Sequence, residues 1–141
     1  MPTTEDAIIS AWLDAHGHSK LAWKVGHYCR RCDLYWLPDE TYMPKINDLC
    51  PRCRQATLVR IPGDFLEPSR LLAAVEAWLL GDEENRLEIY PPTAGDGWVA
   101  VLWSEVGRFH YERKGQTLCE ALRAALAAAM EAEQGESHGE R

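Results

Sequence analysis

Cys29-Arg30-Arg31-Cys32 and Cys50-Pro51-Arg52-Cys53 decide how this chain is read. Seventeen residues separate the two pairs, giving the pattern C-x2-C-x17-C-x2-C. Each two-residue spacer lets a tight turn aim two sulfurs at one point, and a zinc–sulfur bond is about 2.3 Å long. The stretch between the pairs is long enough for a strand to leave one clip and return to the other. Cys29, Cys32, Cys50 and Cys53 are therefore expected to hold one structural zinc ion, because four thiolates close the coordination shell and leave no position for a catalytic water.

Other chemistries of paired cysteines fit less well. The chain opens Met1-Pro2-Thr3-Thr4-Glu5-Asp6, without a basic stretch followed by an apolar run, so no secretory signal is expected and the thiols should stay reduced in a cytoplasmic setting. A thioredoxin-type redox centre uses one pair at a helix N-terminus after a strand. Rubredoxin-type iron clips usually place a glycine just after the second cysteine. Asp33 and Arg54 stand there instead, which favours zinc.

Outward from the clips the chain divides. Residues 1–19 hold a helix, with Thr4 as the expected cap, Glu5 and Asp6 at the positive end of its dipole, and Gly17 as the stop. Its Ile8, Ile9, Trp12 and Leu13 share one face. Residues 20–63 form the ribbon, with strands expected from Leu21 to Tyr28, Asp33 to Leu37 and Ala56 to Ile61, and an irregular loop from Pro38 to Asn47. Such a segment is too short to bury enough surface alone, so the metal must supply stability.

Residues 64–134 read as helix, three antiparallel strands and helix. The first helix runs from Ser69 to Leu80 with Pro68 in its first turn. The strands are Arg86–Tyr90, Trp98–Trp103 and Arg108–Glu112, the middle one apolar on both faces and so expected to be covered above and below. Thr117-Leu118-Cys119-Glu120 is a capping box that opens a helix ending near Ala132. Residues 135–141 are expected to be a flexible tail. The fold class is α+β: a small β ribbon followed by a helix–sheet–helix module.

The second half resembles the phage ABA sandwich domain. The likeness rests on Leu71-Leu72-Ala73-Ala74-Val75-Glu76-Ala77-Trp78, on Gly97-Trp98-Val99-Ala100, and on the run from Gly115 to Leu126. It covers roughly residues 65–141 and implies a phage or prophage origin and a thin layered fold. It implies no reaction, and the ribbon is an addition to the bare module.

Motif by motif, no enzyme emerges: there is no H-E-x-x-H, P-loop, G-x-S-x-G or dinucleotide fingerprint. Cys119 reads as a packed cysteine, His110 as an ordinary strand histidine, and Asp82-Glu83-Glu84 as a solvated turn.

Charge is uneven. From Lys20 to Pro62 eight basic residues face four acidic ones, and a zinc with four thiolates lowers this excess of +4 to +2; from Gly63 onward seven basic residues face fifteen acidic ones, a net −8. The ribbon suits an acidic partner, whereas the rest repels a phosphate backbone. Trp23, Tyr35, Trp36, Tyr42 and Met43 lie around the clips, and aromatic and arginine side chains dominate binding energy at interfaces. Arg30, Arg31, Tyr35, Trp36, Arg52 and Arg54 are the expected contact residues. The leading expectation is a phage protein that modulates a host protein machine, RNA polymerase first. Nucleic-acid binding, with Lys45 also meeting phosphates, is the alternative, and a structural phage protein is a further one. No run of about 20 apolar residues reaches the length of a membrane span.

Overall fold

The computed structural model describes residues 3–36, 49–93 and 97–138. The expected loop from Pro38 to Asn47, with Tyr42, Met43 and Lys45, lies outside these residues.

Helix α1 spans Thr4–Ala15. Its cap is Thr3, one residue earlier than expected, whose hydroxyl accepts the Asp6 N–H at 3.1 Å. Gly17 takes φ +87° and lets the His18 N–H reach the Leu13 carbonyl, closing the last turn. A single turn, α2 (Ser19–Ala22), takes up residues expected to begin the first strand.

Three strands make the ribbon sheet: β1 (Trp23–Cys29), β2 (Leu34–Trp36) and β3 (Val59–Pro62), in the order β2-β1-β3 and antiparallel. Opposite β3, the register jumps from Lys24↔Ile61 to His27↔Arg60, so β1 carries a bulge. Gly26, at φ +111°, supplies the backbone conformation it needs. The third strand starts later than expected. Thr57 forms only an isolated bridge to Leu49, because this hairpin is consumed in turning the second clip.

The second module keeps the expected order, α3 (Pro68–Leu80), β4 (Asn85–Tyr90), β5 (Trp98–Ser104), β6 (His110–Gly115) and α4 (Leu118–His138). Glu67 caps α3 through the N–H groups of Ser69 and Arg70, ahead of Pro68. The capping box forms: the Thr117 hydroxyl accepts the Glu120 N–H, and the Glu120 carboxylate accepts those of Gln116 and Thr117. Helix α4 continues through residues 135–138, past its expected end, where Glu131, Ala132, Glu133 and Gln134 are all good helix formers.

The sheet order is β4-β5-β6, with β5 central as expected. Its coverage is one-sided. Ala100 and Leu102 enter a core with Leu71, Trp78, Leu122, Leu126 and Met130 from α3 and α4. On the opposite face Val99, Val101 and Trp103 lie between their cross-strand neighbours on β4 and β6. Glu88 and Glu112 flank Val101, which is 2 % exposed. Long polar side chains thus do the work expected of a second layer.

Helix α1 joins this same core through Ile9, Trp12 and Leu13. Arg123 of α4 forms ion pairs with Glu5 and Asp6, and Asp6 also accepts the Phe65 N–H at 3.0 Å. The ribbon is tied on at Ser10, whose hydroxyl bonds the Ala22 carbonyl and accepts the Gly63 N–H. Asp14 adds bonds to Trp23 and Arg60.

Candidate metal centre

The two clips are built as similar tight turns. The first joins β1 to β2, with Cys29 opposite Leu34. The second is closed by the Cys50 N–H on the Ala56 carbonyl and the Arg54 N–H on the Cys50 carbonyl. Each turn then needs a left-handed residue directly after its second cysteine. Asp33 and Arg54 occupy those places at φ 55° and 54°. Their backbone is therefore that of a glycine-bearing clip although neither is glycine, so the turn geometry suits iron as well as zinc.

Cys29, Cys32, Cys50 and Cys53 converge, with all four sulfurs within 4.8 Å of one another. The pairs Cys29–Cys53 and Cys32–Cys50 are each 3.9 Å apart. Four sulfurs about 2.3 Å from a tetrahedral ion lie about 3.8 Å apart, so the cluster has the size of a metal shell. Cys29 and Cys50 are fully buried and Cys32 and Cys53 half-buried, with Leu58, Trp36 and Ala56 packed around them.

The electrostatics also favour a cation. Burial raises the Cys50 thiol, but N–H groups of Cys53 and Arg52 outweigh it and bring the group down to about 6. The Ala56 and Gln55 N–H groups lower Cys53 as well. Cys32 is pushed up to about 12, first by burial and then by the neighbouring sulfurs. Four thiolates crowded this closely repel one another, and a dication at their centre relieves that repulsion. These four cysteines can hold one metal ion.

Around the cluster, Arg30, Arg31, Arg52 and Arg54 are all exposed. Among the described residues no salt bridge or hydrogen bond engages their guanidinium groups. Tyr35, on β2, is 44 % exposed and leans on Tyr28. Trp36 differs from expectation: it is half-buried and packs on the cysteines, because its place at the end of β2 turns it towards the small ribbon core. The Tyr28 hydroxyl donates to Asp33 at 2.5 Å and fixes the first turn; that bond, with burial, pushes the phenol up to about 12.

Sequence reasoning missed a groove of about 570 Å³ between α1 and the ribbon, floored by Ala7, Ala11, Trp23, Tyr28 and Val59, with Arg30 at its rim. It arises from how the ribbon docks on α1, and no local pattern announces it. Cys119 packs half-buried against the main core, and His110 is exposed on β6. Among the described residues no helix is long and apolar enough to cross a membrane. No protein-family model, curated protein or solved structure matches this chain.

Proposed function

We propose that the four-cysteine cluster binds one zinc ion and that the ribbon is a non-enzymatic docking module whose arginine-bearing end engages an acidic surface on a protein partner. The observation that carries this reading is the set of four exposed guanidinium groups, Arg30, Arg31, Arg52 and Arg54, held around one metal centre without intramolecular partners among the described residues. Zinc is the preferred metal because a closed, redox-inert tetrahedron of thiolates is its usual structural site. Arginine's planar fork matches carboxylates in two-pronged geometry, so less side-chain freedom is lost for each hydrogen bond formed. The acidic remainder of the chain, net −8 beyond Gly63, disfavours a nucleic-acid backbone over a protein surface.

The likeness of the second half to phage modules supports a viral or prophage setting. The partner is then a host protein machine, with the transcription apparatus as the first candidate by analogy with other ribbons. One observation favours nucleic acid as the second reading: Tyr35, on the strand that leaves the first clip, is 44 % exposed, and an exposed ring can stack on a base.

An affinity pulldown of the zinc-loaded protein from host extract, with and without nuclease, tests these readings. A partner retained after nuclease at moderate salt is expected. Recovery that disappears with nuclease would replace the protein partner by nucleic acid. Nothing recovered in either arm would leave zinc with a structural role alone.

A further inference from the structure

We propose that the groove between α1 and the ribbon is a peptide site, which takes an acidic segment of the protein partner with large apolar side chains in the groove and a carboxylate on Arg30. This inference deepens the docking reading above and rests on it.

The groove exists because α1 carries small side chains on this side. Thr4, Ala7, Ala11 and Asp14 follow at three- and four-residue spacing, along the face turned away from Ile9 and Leu13 in the core. Ala7 and Ala11 are exposed, and their methyl groups leave about 570 Å³ open against Trp23, Val59 and Pro62. Ligand pockets commonly span about 300–1,000 Å³ and are mostly apolar with a few placed polar groups. From Thr4 to Ala11 the helix rises about 10 Å. An extended segment of about three residues covers that distance.

Charge selects the occupant. Arg30 and Arg60 line the groove, and no acidic residue does. The acids of α1 are engaged elsewhere: Glu5 and Asp6 pair with Arg123, and Asp14 accepts from Ser19, Trp23 and Arg60. Asp33, on the first clip, accepts the Tyr28 hydroxyl. Arg60 is partly neutralised, since its Nη1 lies 3.5 Å from Asp14 and its guanidinium sits over Trp23 at 5.5 Å. Arg30 makes no salt bridge or hydrogen bond among the described residues. The unbalanced positive charge therefore lies at the Arg30 end, where a carboxylate can take two parallel hydrogen bonds. Arg30 also belongs to the clip end, so a segment seated in the groove leads onto the surface already assigned to the partner.

Selection from a displayed library of random peptides on the full zinc-loaded chain tests the site. Enrichment of Asp or Glu beside large aliphatic or aromatic residues is expected. A selected peptide, labelled with fluorescein and read by anisotropy, should lose at least about tenfold in affinity to Ala11→Glu and to Arg30→Glu, which set like charge against it. Both positions are exposed, so zinc content and melting temperature should hold; Ala7→Glu, also exposed, serves if either variant fails to fold. Enrichment of basic or uncharged segments, or of none, overturns the proposal. An acidic peptide indifferent to Ala7→Glu and Ala11→Glu but lost with Arg52→Glu and Arg54→Glu overturns the groove and leaves docking at the clip end standing. Self-association of the free chain that Ala11→Glu abolishes would give the groove to a second copy and overturn the proposal too. The docking reading itself stands or falls on the pulldown.

Discussion

Asp33 and Arg54 occupy the same left-handed backbone conformation, φ 55° and 54°, each directly after the second cysteine of its clip. A residue with a Cβ holds that conformation at a cost of roughly 1–2 kcal/mol. Asp33 has a local return, the hydrogen bond from Tyr28. Arg54 has none among the described residues. Arg54→Gly should therefore keep full zinc stoichiometry and raise stability by up to about 1 kcal/mol in denaturant titrations. Asp33→Gly should show little gain, because the lost Tyr28 bond is worth about 1 kcal/mol.

Reversing Arg30, Arg31, Arg52 and Arg54 to glutamate tests the docking end directly. Zinc content and the melting transition should change little, since these side chains are exposed and make no salt bridge or hydrogen bond among the described residues. Partner recovery in the pulldown should be lost. Truncating Tyr35, which is 44 % exposed, should weaken a protein interface while leaving the metal site intact. Truncating Trp36 should instead loosen the cysteine cluster on which it packs.

Metal removal should divide the chain along its two cores. The ribbon core is Cys29, Cys50 and Leu58 with a few half-buried neighbours, whereas the main core draws on α1, α3, β5 and α4. Structural zinc contributes an apparent ~10–16 kcal/mol to modules of this size. Chelation should thus abolish amide protection in β1, β2 and β3 and preserve it in β5 and α4, as read by hydrogen exchange with mass spectrometry. Uniform loss of protection would mean that the ribbon also holds the helices together.

The clips, the capping box at Thr117 and Glu120, and the central place of β5 were legible in the sequence because each depends on residues close together in the chain. The left-handed turns were not legible, because Asp33 and Arg54 meet the backbone requirement that a glycine would have announced. Packing of α1 on α4 was not legible. It depends on Asp6 meeting both Phe65 and Arg123, partners far along the chain that carry no local signature. One-sided coverage of β5 was hidden for a related reason. An apolar run reads alike whether helices or the stems of Glu88 and Glu112 cover it.

Asp6 is the test of that long-range joint. It is 7 % exposed, accepts the Phe65 N–H and faces Arg123 at 3.6 Å. Asp6→Ala leaves the buried Phe65 donor without its partner and Arg123 with Glu5 alone, and should cost roughly 2 kcal/mol. Asp6→Asn keeps an acceptor for Phe65 and should cost less. Equal losses for the two variants would assign the effect to the charge on Arg123 alone.

Glu67 links a helix cap to pH. The Arg70 N–H holds its carboxyl below the ordinary glutamate range, against burial, and Ser69 helps. A depressed folded value means the cap stabilises fully above that ordinary range and is lost as pH falls through the lowered value. Wild type and Glu67→Gln should therefore differ in melting temperature near neutrality and converge in acid. A difference that persists unchanged in acid would show that ionisation is not what makes the cap.

Gly17 and Gly115 separate two reasons for glycine. Gly17 needs positive φ, but an added Cβ meets nothing within 4 Å. Gly17→Ala should cost only about 1 kcal/mol of backbone strain. Gly115, at the end of β6, has ordinary φ, yet a Cβ there would lie 2.6 Å from the Ala121 nitrogen in the first turn of α4. That contact is with backbone, so α4 must move off the sheet and disturb Ala121, Leu122 and Ala125 beneath it. Overpacking of this kind costs about 1–3 kcal/mol, and Gly115→Ala should fall at the upper end. Thermal melts of the two variants, each loaded with zinc, give the order directly, and a larger loss at Gly17 would refute the close approach of α4 to β6.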